Sequence, residues 1–581
     1  MKRTVFDIET TSLDPEDGDI LCISVMVDRE GQDAVTFRRD EVDKAIRLIL
    51  SSDCVIGHNI VGFDIPYIEG WLARHDPVLH EKWMLDKRQI AWQDTMVMAR
   101  VVYPDQRDRD FGIDGFPKDL IGKHSLKAWG YRLGLLKGDA LDAVTDFSKL
   151  EYSEELAEYN RQDCRVTLAL WKRLDPEIDS GARVLQIEMK FASLIHNQMR
   201  RGFSFDVAAA HALTAELQGR KLELTEILQS VVPPTVVQLK TKTKTIPFNP
   251  GSRDQIAEYL MNLGWKPEAF TPSGKPQVDE SILSAVPGPA AALICEYLTV
   301  AKRLGQVAEG EESWIKAETN GRIHGYVNTN GAVTGRCTHS RPNIAQVPSV
   351  TAKWGRQCRS LFRATPGMVM LGCDASGLEL RCLAHYLAAW DGGEYANIVC
   401  NGDVHTKNQE AAGLPTRNDA KTFIYAFLYG AGDEKIGSIV GGKAADGKKL
   451  KAKFLSAIPA LKKLRDAVAK KVDKGYLIGI DGRKLWVRSK HSALNTLLQS
   501  AGAIAVKQAT ILMDEEIRRQ GYAIHQVAHI HDEIQFEGEQ GDIEVFAPFT
   551  KQAFQRAGDL LGFRCPLDGE YRIGRTWAET H

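Results

Sequence analysis

A multi-domain chain, with an α/β unit at its N-terminus and mixed α/β and α+β architecture beyond it, is what the sequence predicts, and three observations carry that prediction. At 581 residues the chain exceeds what one hydrophobic core supports. Residues 1 to about 180 interleave short β runs, such as Thr4-Val5-Phe6-Asp7-Ile8 and Ile20-Leu21-Cys22-Ile23-Ser24-Val25, with amphipathic stretches. The last third alternates β runs with long helical patterns, without an internal repeat or a low-complexity tract.

The boundary falls at Leu174-Asp175-Pro176-Glu177-Ile178-Asp179, where proline and charge interrupt the pattern before a helical segment opens near Arg183. From there to about Gln229 the sequence reads as helix. Val231 to Pro250 carries three prolines before its last residue and alternates Lys240, Lys242 and Lys244, which reads as an exposed loop or ribbon. Helical signal resumes at Arg253. Composition bounds the function classes: 44% apolar and 26% charged residues describe an ordinary soluble protein. A formal net charge of −2 does not announce a nucleic-acid binder, although local basic surface decides phosphate binding. Ten cysteines without a C-x-x-C pair argue against a zinc ribbon or a disulfide scaffold and for a reducing compartment. Without a bilayer-length apolar run or a signal-like N-terminus, the expected location is cytoplasmic.

The N-terminal unit holds four carboxylates of interest. Asp7 and Glu9 are two apart on a β run and face one side of it. Asp64 closes Asn59-Ile60-Val61-Gly62-Phe63-Asp64, and helical i,i+4 spacing puts Tyr159 and Asp163 on one face. Converged, these acids repel and raise one another's pKa, a conflict that divalent cations remove; all-oxygen sites suit Mg²⁺ or Mn²⁺. A D-x-E pair alone is more often ordinary surface acid.

Three C-terminal segments add a second constellation. An apolar run, Val369 to Cys373, ends at Asp374, with a helix expected just after it, so the carboxylate is aimed rigidly into a cleft. Pro415 to Gly430 opens with Thr416 as cap and Asp419 three residues on, and sets Arg417, Lys421, Tyr425 and Tyr429 at four-residue steps along one helix face. Cations neutralise triphosphate charge, and rings pack on base and sugar. A cationic solvent face beside an aromatic core stripe is the alternative, but average residue usage gives a chance match of order 10⁻⁴. Alternation on either side of His531-Asp532 predicts a hairpin with an acidic turn. A zinc site on His529 and His531 lacks a further His/Cys pair at ligand spacing.

In combination the first group resembles the three motifs of DnaQ-like 3′→5′ exonucleases, which share a ribonuclease H-like fold. That resemblance implies that Asp7, Glu9 and Asp163 hold one metal, Asp64 helps with a second, and Tyr159 orients the attacking water. The C-terminal segments resemble motifs A, B and C of the family A (Pol I-like) DNA polymerases, most closely the replicative enzymes of short-tailed phages, over nearly the whole chain. The implied fold is an exonuclease domain over 1–180 and a right-hand polymerase over 181–581. Its thumb would lie mainly in 181–330, its palm in 331–400 and 480–581, and its fingers in 401–479. By the same resemblance Asp374 and Asp532 hold two Mg²⁺ ions, with Mn²⁺ as a substitute, the Ala375 carbonyl as an extra ligand and Glu533 adjacent. Glu379 becomes the steric gate against a 2′-hydroxyl. Arg417 and Lys421 grip the triphosphate, Lys421 as proton donor to pyrophosphate. Tyr425 lies against sugar and base, and Tyr429 stacks at the templating position. His405, alone more often a surface histidine, matches a β-phosphate contact. Arg336, in Thr334-Gly335-Arg336 ahead of Arg341-Pro342-Asn343, reads the minor groove at the primer terminus. Asn495 and Gln499 match further minor-groove contacts, although surface amides of a helix would look the same.

The departures carry expectations too. Tyr425 stands where many bacterial homologues have phenylalanine, which predicts weak discrimination against 2′,3′-dideoxynucleotides. Val231–Asn249 is too short for the thumb insertion with which phage relatives recruit thioredoxin, so thioredoxin dependence is not expected. Lys240, Lys242 and Lys244 either touch duplex phosphates or form a solvated basic loop. No room is left for a 5′-nuclease domain. The expected partners are primer-template DNA and dNTPs, with a helicase-primase and a single-stranded DNA-binding protein at the fork, and the expected state is a monomer. The rivals are a cellular repair polymerase, a 3′→5′ exonuclease with a non-polymerising DNA-binding domain, and a non-catalytic scaffold.

Overall fold

In the N-terminal unit, β1 (Arg3–Thr10), β2 (Ile20–Val27), β3 (Val35–Arg38), β4 (Cys54–Gly57) and β5 (Ala91–Asp94) form one mixed sheet in the order β3-β2-β1-β4-β5. Strand β1 pairs antiparallel with β2 and parallel with β4, so it is central and buried on both faces. The computed structural model describes all residues except 139–140, 142–143, 179–181, 239–242, 268, 280–281, 284–285 and 287. The expected boundary at 180 and the lysines at 240 and 242 lie outside the described residues.

Strand alternation fixes which way β1 aims its acids. Phe6 and Ile8 enter the core on the side of α1 (Asp64–His75), whereas Val5 enters the core on the side of α2 (Glu154–Leu174). Asp7 and Glu9 share the parity of Val5 and therefore face α2. That helix begins at Ser153, whose side chain accepts from the Leu156 N–H at 3.0 Å. Its buried stripe, Leu156, Asn160, Asp163, Thr167, Leu170 and Trp171, packs against the sheet.

Helix continues through α3 (Arg183–Arg201) but not, as expected, to Gln229. Gly202, at φ 68°, ends it, and Phe203–Ser204 forms a short strand before α4 (Val207–Val231) starts at the Asp206 cap. Only glycine takes that left-handed φ freely, and Phe203 and Phe205 are buried by alternation, a period-two signal hidden between two helical patterns. The basic segment is a ribbon, Thr235–Gln238 paired with Thr243–Ile246, with Lys244 exposed.

The C-terminal part is organised on an antiparallel sheet. Strand β6 (Val369–Ala375) is followed by α5 (Leu378–Asp391), α6 (Val404–Ala412), α7 (Arg417–Leu428) and α8 (Ala493–Gln520). Then come β7 (Ile524–Ile530), β8 (Glu533–Gly538), α9 (Gln540–Leu561) and β9 (Gly569–Gly574). The strand order β7-β8-β6-β9 puts β6 in the interior. Helices α5, α8 and α9 share one apolar cluster with Leu371 and Phe536 of the sheet, and α3 joins it through Ile187, Phe191, Leu194 and Ile195. Helix α7 buries Phe423 and Phe427 against Phe454, with Phe423 and Phe454 fully enclosed. Each such ring contributes roughly 2–3 kcal/mol of burial and fixes the opposite face of α7 toward solvent.

Candidate active sites

The first site sits where β1 meets α2. Carboxylate oxygens of Asp7, Glu9 and Asp163 lie within 4.8 Å of one another, close enough to share an ion. Asp64 joins them from the first turn of α1, its Oδ1 accepting the Ile8 N–H at 3.3 Å. Burial first, and then repulsion from Asp163, Asp64 and Glu9, pushes Asp7 well above the ordinary carboxylate range. Glu9 and Asp64 are each pushed up to about 8, burial again leading. Asp163 is raised as well, and its Oδ1 is buried with no hydrogen-bond partner. Tyr159 is half-buried one turn before Asp163, its phenol pushed up to about 12 by burial against the pull of Lys137.

Three residues of this site escaped the sequence reading. Asn160 donates to Asp7 Oδ2 at 2.7 Å; its i,i+3 relation to Asp163 could have found it. Lys137 pairs with Asp163, and no local pattern announces it. Asp94, which caps a helix through the Met96 N–H, also accepts from the Asn59 and Val61 N–H groups at 3.0 and 3.1 Å. It thereby holds the turn that delivers Asp64.

The second site is built on β6 and the β7–β8 hairpin. The hairpin turns at His531 and Asp532, with His531 at φ 59°. The Ala375 N–H donates to the Asp532 carbonyl at 3.1 Å, so the ends of two sheet neighbours bring Asp374 and Asp532 to one place. Asp374 is pushed up to about 7, by burial first and by Asp532 and Glu533 next. Asp532 is raised by burial and Glu379, opposed by Arg336. Glu533 behaves differently: burial would raise it, yet His581, Arg359 and Trp577 bring it below the ordinary glutamate value. It accepts from His581 Nδ1 at 3.0 Å, Gln535 Nε2 at 2.8 Å, Arg359 Nη1 at 3.5 Å and Trp577 Nε1.

Helix α7 forms another wall. Thr416 caps it, accepting from the Asp419 N–H at 3.1 Å while its hydroxyl donates to Asp419 Oδ2 at 2.7 Å. Arg417 pairs with Asp403 at 2.8 Å. Asp403 also caps α6, which carries His405 to 6.3 Å from the Tyr425 ring. Burial, then Arg417 and Lys421, lower the His405 pKa, so Arg417, Lys421 and His405 form one electropositive edge. Tyr429 Oη donates to Glu379 Oε1 at 3.0 Å, linking the end of α7 to the start of α5. Arg336 follows Gly335, at φ 77°, and lies close enough to lower Asp532 and Tyr429. Asn495 and Gln499 are half-buried one turn apart on α8, whose Gly502 lets it approach Leu378 of α5. His529 is buried, its ring 4.9 Å from Phe191, and burial pushes it down to about 3, as in a packed core.

A buried acidic cage on a ribonuclease H-like sheet, and a carboxylate pair on an antiparallel sheet faced by a cationic helix, define a two-site phosphoryl-transfer protein. The chain belongs to DNA polymerase family A, which residues 222–579 match, while residues 4–175 match the RNase H superfamily. It is 37% identical to the DNA-directed DNA polymerases of Escherichia phage T7 and Enterobacteria phage T3, over 91% of this chain and 92% of each relative. DNA polymerase I of Pseudomonas aeruginosa is 25% identical over 99% of this chain and 63% of its own length. Among solved structures, the polymerase domain of Pol1 from M. smegmatis, in complex with DNA primer-template and dNTP, superposes with a TM-score of 0.76 at 19% identity. That match covers 99% of this chain and 96% of the other.

Proposed function

We infer that the chain extends a primer on a DNA template from dNTPs and removes mispaired 3′ ends, in phage or plasmid replication. The observation that carries this reading is the Ala375 N–H to Asp532 carbonyl bond, which sets two raised carboxylates side by side at the edge of a cationic helix. Two Mg²⁺ ions per site suit these donors: all are oxygen, mutual repulsion raises Asp7 and Asp374, and in the N-terminal cage three carboxylates converge while Asp163 Oδ1 is buried and unpartnered. Asp374, Asp532 and the Ala375 carbonyl would hold one pair; Asp7, Glu9, Asp64 and Asp163 would hold the other. Bound there, the ions supply charge neutralisation for attacking and leaving oxygens.

The side chains do the rest. Arg417, Lys421 and His405 bind the triphosphate, and Lys421 protonates the departing pyrophosphate. Tyr425 packs on sugar and base, while Glu379, anchored by Tyr429, closes the space a 2′-hydroxyl would need. Tyr429 also marks the templating position. Arg336, Asn495 and Gln499 test pair geometry through minor-groove acceptors, which are nearly independent of base identity. Glu533, fixed by its four donors, ties the hairpin to Arg359 and to the C-terminal residues Trp577 and His581. Tyr159 orients water for hydrolysis. Thumb, palm and fingers follow the spans 181–330, 331–400 with 480–581, and 401–479. The protein works as a monomer in the host cytoplasm, with helicase-primase and single-stranded DNA-binding protein at the fork and without thioredoxin.

The test is a separation of functions on one primer-template. Asp374→Ala should abolish extension and leave excision, and Asp7→Ala should do the reverse. Excision without extension by the unaltered protein would support the rival nuclease.

A further inference from the structure

The exonuclease-type cage contains a cation of its own. Lys137 lies in a stretch with no regular structure, yet its position is built. The helix Leu126–Leu133 ends at Gly134, at φ 68°, and the chain doubles back as the Leu135 N–H donates to the Gly130 carbonyl at 2.9 Å. Gln162 of α2 then donates through Nε2 to the Leu136 carbonyl at 3.1 Å. A side chain at Gly138 would meet Tyr159 at 3.5 Å, so the segment lies directly on the tyrosine. Pinned in this way, Lys137 is only 16% exposed; its ammonium pairs with Asp163 Oδ2 and stands 4.4 Å from the centre of the Tyr159 ring.

One ammonium therefore contacts both the carboxylate that would hold an ion and the phenol that would orient water. Resting on the assignment of this cage to 3′→5′ excision, we propose that Lys137 is a positioning residue that competes with divalent cations for Asp163 and fixes the Tyr159 ring. It thereby sets the metal concentration at which excision begins. The physical ground is charge balance. An ammonium against four acids stabilises the cage without metal, and an arriving ion must displace it from Asp163. The cation–π contact keeps the ring aligned while that exchange takes place.

Removing Lys137 should therefore move metal affinity and turnover in opposite directions. In an Asp374→Ala background, which removes the other metal pair, Mn²⁺ binding is titrated by electron paramagnetic resonance. Excision of single-stranded DNA is measured at saturating Mg²⁺. Lys137→Met should bind Mn²⁺ several-fold more tightly and turn over about tenfold more slowly, the scale of a lost cation–π contact. Lys137→Arg, which keeps charge and reach, should restore both toward the starting values. Unchanged Mn²⁺ affinity in the methionine variant overturns the proposal, as does a joint fall of affinity and turnover that arginine does not rescue. An unaltered chain that fails to degrade DNA, or one that degrades it equally well with Asp7→Ala, overturns the excision reading itself.

Discussion

Lys507→Met is the perturbation whose cost the structure fixes best. Lys507 is 1% exposed, and its ammonium donates to both oxygens of Glu188 at 2.8 Å and to the Thr329 carbonyl at 2.8 Å. Arg483 binds the same Glu188 at 2.5 Å and Asp481 at 2.7 Å, so two cations balance two anions in a closed cluster. Methionine fills similar volume but leaves one buried negative charge in excess. Removing one partner of a buried pair costs about 3–5 kcal/mol. For a chain of 581 residues unfolding as one unit that lowers Tm by about 2–4 °C. Thermal and urea unfolding read the loss directly. The double variant Glu188→Gln with Lys507→Met keeps the Asp481–Arg483 pair and restores neutrality, so it should lose less than the sum of the two single changes. A single-variant cost below about 1 kcal/mol would refute the reasoning, because no buried charge would then have been stranded.

Gly335→Ala should raise the KM for primer-template about tenfold, because its φ of 77° is strained for alanine and the new methyl would strike Arg483 Nη1, displacing Arg336; unchanged DNA binding would contradict this. The pH dependence has a definite sign. With Glu9 and Asp64 held near 8, the metal-free native protein binds more protons than the unfolded chain from the ordinary carboxylate range up to that pH. Its stability therefore falls as pH rises through that window, while the Mg²⁺-induced rise in Tm grows; a Mg²⁺ effect that stays flat from about pH 6 to about pH 9 would argue against the cage. Tyr425 should give weak discrimination against dideoxynucleotides, and a measured ratio far above about a hundredfold, several kcal/mol of selectivity, would contradict it.

Much of the local placement of these residues was legible because short-range rules wrote it. Two-residue spacing put Asp7 and Glu9 on one face of β1, and four-residue spacing carried Arg417, Lys421, Tyr425 and Tyr429 along α7 from the Thr416 cap. Alternation around His531-Asp532 gave the hairpin. What sequence could not supply was long-range partnership. Lys137 reaches Asp163 by a loop with no periodic pattern. Asp94 holds the Asn59–Val61 turn from a strand end more than thirty residues away, where an aspartate before a helix looks like an ordinary cap. Glu188 and Lys507 meet because α3 packs against α8, and Arg483 reaches them from a turn outside both helices. The break at Gly202 was missed because two helical patterns flank a strand of two residues.

The account rests on separate acidic cages gathering divalent ions, and anomalous diffraction from a crystal of the chain with primer-template, dNTP and Mn²⁺ tests it most directly. The predicted map places ions in direct contact with carboxylate oxygens of Asp374 and Asp532 and of Asp7, Glu9 and Asp163. A complex with ordered DNA and nucleotide but no anomalous peak between Asp374 and Asp532 would contradict it.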